Sequence, residues 1–282
     1  MNRITRCFAT LKSQQRKALI PYITAGDPEP QATLSIMHTL VEAGADMIEL
    51  GVPFSDPMAD GPVIQAAHER ALEQGMNLSM VLDQVRQFRD QEREQNTDTP
   101  VILMGYMNPV EAYGTQAFAT EAAQAGVDGV LLVDMPPEEA QELITACQSA
   151  GLACIYLVSP TTNTDRLTRI CTNASGFIYY VSIKGVTGAT PPSQDDLATR
   201  LATIREHTDL PVGVGFGIRD AESARAVAQV ADAVIVGSAL VDRLAKAATD
   251  REQQLKIAHN FIHELRQALD NGDNSGKATT GN

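Results

Sequence analysis

A closed barrel of eight parallel strands wrapped by helices, the (β/α)8 or TIM-barrel class, is the fold this sequence predicts, on three observations. Eight apolar runs rich in β-branched residues recur along the chain, each separated from the next by a stretch with helical periodicity. Several helical stretches end in the same punctuation, EAGAD at 42–46, QAGVD at 124–128 and SAGLA at 149–153, where glycine takes the left-handed C-cap before the chain enters a strand. The runs are almost continuously apolar, as strands covered on both faces must be. Eight such units suit a closed barrel better than an open doubly wound sheet, which stays as the alternative. A dinucleotide-binding sheet would need G-x-G-x-x-G after its first strand, whereas Tyr22 is followed by ITAGDPEP.

The first strand is ALIPYIT at 18–24, preceded by a short amphipathic helix carrying Phe8 and Leu11. DMIEL at 46–50 is the second; after it come a helix starting near Pro62 and an additional helix from Leu78 to about Arg93. PVILMGY at 100–106 and DGVLLVD at 128–134 are the third and fourth strands. LACIYLV at 152–158, GFIYYVS at 176–182, PVGVGFG at 211–217 and ADAVIVG at 231–237 complete the set. Beyond the eighth strand, GSALVD supplies a short extra helix with Ser238 at its start, and a long final helix runs from Glu252 to Ala268. One barrel domain over 1–268 and a polar, disordered tail over 269–282 are expected.

Composition narrows the function. Of 282 residues 44% are hydrophobic, ample for a full core, and 35 acidic against 22 basic residues give a formal net charge of −13. Such a balance disfavours attraction to nucleic acid or anionic lipid. Cys7, Cys147, Cys154 and Cys171 form no C-x-x-C pair and read as reduced thiols of a cytoplasmic protein. No secretory signal or membrane span is readable, and no metal site is signalled.

The stretch IELGVPFSDPMADGP at 48–62 carries the chemistry. If Ile48 and Leu50 face the helices, strand alternation turns Glu49 into the barrel, at the C-terminal end where barrel enzymes place their sites. A carboxylate desolvated there has its neutral form favoured, as a group serving as acid and base requires; a structural ion pair is the alternative. Asp60 stands just before a helix start, where it either caps the helix or takes part in the reaction. Asp56, in SDP, is most simply a turn residue. Glycines in KGVTGATPP, GVGFGIRD and VGSALVD follow strands six, seven and eight. Their loops converge, which favours a phosphate site built from backbone N–H groups and a helix N-terminus over simple turn chemistry. His38, His68, His207, His259 and His263 all fall in helices or helix ends, away from the strand tips, which leaves a Ser-His-Asp triad or zinc chemistry without support. Lys184 could form a Schiff base, but a glycine-rich loop is a poor seat for one.

With these residues assembled, the chain resembles the tryptophan synthase alpha subunit family from about residue 3 to 268. PYITAGDP at 21–28, ELGVPFSDPMADGPVIQ at 49–65, GVTG at 185–188, GFGI at 215–218 and GSALV at 237–241 carry the likeness, in order. The resemblance implies retro-aldol cleavage of indole-3-glycerol phosphate to indole and glyceraldehyde 3-phosphate. By the same likeness Glu49 gives a proton to indole C3 and takes one from the glycerol hydroxyl, while Asp60 stabilises positive charge at the indole nitrogen. Tyr179 matches the family's active-site tyrosine, and Gly188, Gly217, Ile218, Gly237 and Ser238 match phosphate contacts. Tyr22, Ile64 and Phe216 match the indole pocket, Tyr22 standing where some relatives have phenylalanine. Ala189-Thr190-Pro191-Pro192 departs from relatives that carry a charged residue near 190. The resemblance further implies no cofactor in this chain and a pyridoxal-phosphate-dependent beta subunit as partner in an α2β2 complex, met through the loop bearing Pro53 and Asp56. A stand-alone lyase releasing free indole, and a non-catalytic activator of a beta subunit, are the competing readings; intact Glu49, Asp60 and phosphate loops oppose the second.

Overall fold

The structure, a computed structural model, describes residues 2–95, 97–181, 194–215, 217–247 and 250–271. The chain begins with α1 (Arg3–Ser13) and β1 (Ala18–Thr24), then passes a 3-10 turn (Pro30–Ala32) into α2 (Thr33–Glu42). β2 (Ile48–Gly51) is followed by two helices, α3 (Pro62–Glu73) and α4 (Leu78–Gln95). β3 (Val101–Gly105) is followed by α5 (Met107–Tyr113) and α6 (Thr115–Ala125), and β4 (Gly129–Leu132) by α7 (Gln141–Ala150). β5 (Ala153–Cys154), β6 (Tyr156–Val158), α8 (Thr164–Asn173), β7 (Ile178–Tyr180) and α9 (Gln194–Arg205) come next. β8 (Val212–Val214), α10 (Ala221–Ala228), β9 (Ala233–Val236), α11 (Ser238–Lys246) and α12 (Arg251–Asp270) complete the order.

Every strand pairing is parallel, in the order β5-β4-β3-β2-β1-β9-β8-β7-β6. The two ends of that order are two pieces of one run of chain, 153–158, so the sheet closes on itself. Ala153 and Cys154 pair with Gly129 and Val130, whereas Tyr156–Val158 pair with Ile178–Tyr180. The change of partner falls at Ile155, whose amide still donates to the Val130 carbonyl at 2.9 Å. The fifth expected strand is therefore interrupted, giving nine segments among the described residues for eight expected strands. α5 is a further departure: Gly114, at φ +92°, separates it from α6. The extra helices expected before the first strand and after the second and eighth are α1, α4 and the pair α11 and α12.

Alternation along the strands sorts side chains into two layers. Ile20, Ile102, Leu131, Ile155, Phe177, Tyr179 and Ile235 fill the interior, which Ile4, Phe8 and Leu11 of α1 close at the N-terminal end. Leu19, Ile48, Leu50, Leu103, Val130 and Val234 face the helices. Gly44, Gly126 and Gly151 take φ of +106°, +94° and +77° at the three punctuation sites, as their helix-ending role demands.

An aspartate follows or replaces that punctuation before several strands, and it locks the N-terminal end. Asp46, Asp128 and Asp232 accept the amides of Leu19, Val101 and Val212 at 2.8, 2.9 and 2.9 Å. Each also meets an arginine: Arg266 at 2.9 Å, Arg89 at 2.7 Å and Arg205 at 3.0 Å. These three carboxylates are thereby paired and hydrogen-bonded, as charge requires where, at Asp46 and Asp128, it is largely buried.

Candidate active site

Glu49 sits mid-way along β2, in register with Tyr22 of β1 and Ile102 of β3, while its neighbours Ile48 and Leu50 face the helices. The carboxyl is 1% exposed, and its buried Oε1 has no hydrogen-bond partner among the described residues. Burial first, then the negative charge of Asp60, pushes the group up from 4.5 to about 8. No cation offsets this, so the structural ion-pair alternative has no partner among the described residues to support it.

Asp60 does not cap α3: the N-cap is Gly61, with no side-chain cap. Its carboxylate turns instead toward the barrel mouth. Tyr106, at the end of β3, donates its hydroxyl to Asp60 Oδ2 at 2.7 Å and accepts the Ala59 amide at 3.1 Å. His68 of α3, 2% exposed, points Nε2 at the same oxygen from 3.5 Å. Its Nδ1 accepts the Phe54 amide at 2.9 Å. Burial and Asp60 together raise the Tyr106 phenol far above its ordinary value, so it stays a donor.

Two tyrosines line the mouth, and two glycines make room for them. A Cβ on Gly51 would overlap the Tyr22 hydroxyl, and one on Gly215 would overlap that of Tyr179. Both phenols are raised well above their usual range, by burial first and then by the Glu49 and Asp60 charges. Tyr22 bonds Thr24 Oγ1 at 3.1 Å and packs with Ile64, Ala67 and Val241. Arg70 of α3 holds Asp27 of the TAGDP loop through two bonds of 2.6 and 3.0 Å, fixing α3 against β1.

Beside Tyr22, which a Cβ on Gly237 would meet at 3.5 Å, Gly237 is the N-cap of α11 and Ser238 its exposed first residue. Gly217 is exposed at φ +69°, beside buried Ile218. Gly188, Phe216, Lys184 and the segment 189–192 lie outside the described residues. In the 53–60 loop Pro53 is buried at the base, whereas Asp56 and Met58 are exposed at the tip, Met58 to 85%. Among the described residues no group of three or more His, Cys, Asp or Glu could hold a metal ion, and no helix is long and apolar enough to cross a membrane.

A buried acid beside a carboxylate held by a tyrosine, in a parallel barrel, can be set against known proteins. The family model described as tryptophan synthase alpha chain matches residues 8–270. The chain belongs to that family. It is 57% identical over 270 residues to the tryptophan synthase alpha chain of Thioalkalivibrio sulfidiphilus, covering 96% of this chain and 100% of that one. With the alpha chain of Alkalilimnicola ehrlichii the identity is 58%, over 96% and 97% of the two chains. The crystal structure of tryptophan synthase subunit alpha from Legionella pneumophila superposes with a TM-score of 0.89 at 47% identity, covering 96% of this chain and 99% of that one.

As a tryptophan synthase alpha chain the protein is an indole-3-glycerol phosphate lyase, a carbon–carbon lyase of tryptophan biosynthesis, with a beta chain as its partner. Sequence reasoning about this alpha chain missed Tyr106 and His68. The expectation that all five histidines stand away from the strand tips is corrected for His68: it is helical, but α3 starts at the mouth and its second turn reaches back to Asp60. The i, i+3 pairing of Gln65 and His68 on one helix face, right after ADGP, is the signal that could have found it.

Proposed function

We propose that Glu49 and Asp60 divide the alpha reaction between them. Glu49, protonated at rest, gives its proton to indole C3; the resulting cation at the indole nitrogen is stabilised by the Asp60 carboxylate, held by Tyr106. Glu49 then takes the glycerol hydroxyl proton, the bond from C3 to the side chain breaks, and its electron pair restores the aromatic ring. The hydroxyl carbon leaves as the aldehyde of glyceraldehyde 3-phosphate, and the carboxyl is returned to its starting state. The observation that carries this reading is the buried carboxyl of Glu49 at the barrel mouth, whose Oε1 has no hydrogen-bond partner among the described residues.

Around that pair, Tyr22, Ile64 and Phe216 form the indole pocket and Tyr179 packs against the reacting centre. Gly188, Gly217, Ile218, Gly237 and Ser238 bind the phosphate through backbone N–H groups. The exposed Asp56 and Met58 face the beta chain, with Pro53 as the buried support of that loop. We also place the chain in an α2β2 complex in the cytoplasm, with pyridoxal phosphate confined to the beta chain. The barrel domain, expected over 1–268, extends through the end of α12 at Asp270.

The test is rapid-quench cleavage of indole-3-glycerol phosphate by Glu49→Gln with saturating beta chain. A loss of about 10² to 10⁴ in turnover is expected, because the near-isosteric amide cannot exchange the proton. Glyceraldehyde 3-phosphate affinity should be kept. Retention of more than a tenth of the wild-type rate, with chemistry limiting, removes Glu49 from the mechanism.

A further inference from the structure

We infer that His68 is a positioning residue for Asp60: it holds the carboxylate through Nε2 while Nδ1 anchors the other end of the same loop. The inference rests on Asp60 meeting the indole nitrogen. Because Nδ1 accepts the Phe54 amide at 2.9 Å, it must present a lone pair, and the neutral imidazole then carries its proton on Nε2. That N–H points at Asp60 Oδ2 from 3.5 Å, and Nε2 is buried without a hydrogen-bond partner among the described residues. A formed N–H···O bond is shorter, so a closing movement of about half an ångström completes it. Hydrogen bonds at reacting centres commonly tighten in this way once substrate is bound. Tyr106 bonds the same Oδ2, so once the His68 contact closes both donors meet one oxygen and leave Oδ1 for the substrate.

The rest of α3 supports this geometry. Gln65, on the same helix face, donates to the carbonyls of Asp60 at 2.8 Å and Pro57 at 3.4 Å. The Phe54 ring packs on Tyr106 at 5.1 Å between centroids. His68 thus clamps residues 54 and 60, the two ends of a loop whose tip is exposed.

The experiment measures kcat and KM for indole-3-glycerol phosphate, using the full chain with saturating beta chain, in His68→Asn, His68→Gln, Asp60→Asn and the Asp60→Asn, His68→Asn double variant. Asparagine keeps an acceptor where Nδ1 stood but ends short of Asp60. It should lose about tenfold or more in kcat, the worth of a hydrogen bond to a charged group, with KM moving less than about twofold. Glutamine carries an N–H to the Nε2 position and should lose less than about threefold. In the Asp60→Asn background, His68→Asn should add nothing further. A wild-type kcat in His68→Asn, losses that multiply in the double variant, or a His68→Gln loss as deep as that of His68→Asn each overturn the inference. Asp60→Asn at the wild-type rate overturns the Asp60 assignment itself, whatever the His68 variants do. Should His68→Asn not fold, the same cycle run with His68→Leu decides between the same outcomes.

Discussion

Replacing Glu49 by glutamine should make the protein more stable as it makes it inactive, and the gain should depend on pH in a direction the structure dictates. Burial and the Asp60 charge move this carboxyl from 4.5 in an ordinary setting to about 8 in the folded chain. Below pH 4.5 both folded and unfolded chains hold the proton, and Glu49 costs the fold nothing by ionising. Between 4.5 and about 8 the folded chain keeps a proton that the unfolded chain has released, so stability falls as pH rises through that window. Each tenfold step in a proton equilibrium is worth about 1.4 kcal/mol, which puts the complete loss, above pH 8, on the order of 5 kcal/mol. Glutamine cannot ionise and escapes the loss. Urea unfolding of wild type and Glu49→Gln should therefore show similar stabilities near pH 4.5 and a gap of several kcal/mol in favour of the variant at about pH 8.5. The same group sets the alkaline limb of wild-type kcat/KM, which reports the free enzyme and should fall by one proton above about 8. A stability gap that stays constant between the two pH values, or an alkaline limb far from 8, would refute the claim that Glu49 rests as a buried acid.

Two further predictions concern the loops around it. Asp60→Asn should depress cleavage even in the isolated chain, since a neutral amide cannot stabilise the cationic indole, whereas Asp56→Ala should leave isolated-chain activity nearly unchanged and reduce activation by the beta chain. Indole formation by each variant, with and without saturating beta chain, separates the two roles, and equal losses in the isolated chain would end the division. Gly237→Val should raise KM by hindering close backbone approach at the α11 N-terminus. If the variant binds glyceraldehyde 3-phosphate normally while Lys184→Ala does not, the backbone site gives way to a lysine-centred one.

How much of this was readable beforehand depends on whether the information was local. The inward turn of Glu49 follows from its two neighbours, Ile48 and Leu50, and the glycine C-caps follow from a conformation that other residues rarely adopt. The interruption at Ile155 could not be read in the same way: LACIYLV is one apolar run, and only the meeting of β4 and β7 on its opposite edges divides it. Tyr106 and His68 were illegible for a related reason. Each looks like a core aromatic on its own element, and their convergence on one oxygen of Asp60 exists only once β3 and α3 are docked across the mouth. Asp60 shows the reverse: its sequence setting fits a helix cap, yet Gly61 takes that place and frees the side chain.

The aspartate clamps give the barrel a division of labour that bears on how such a chain changes over time. At one end Asp46, Asp128 and Asp232 are each saturated by a backbone amide and an arginine, and they tie neighbouring strands together. At the other end Glu49 Oε1 is buried with no hydrogen-bond partner among the described residues. A buried carboxyl at the mouth weakens the fold locally, but the cohesion that tolerates it is stored at the opposite end of the strands. Mouth loops can then be rewritten by mutation, lengthened or retuned for another ligand, while the closed ring of strands beneath them persists unaltered.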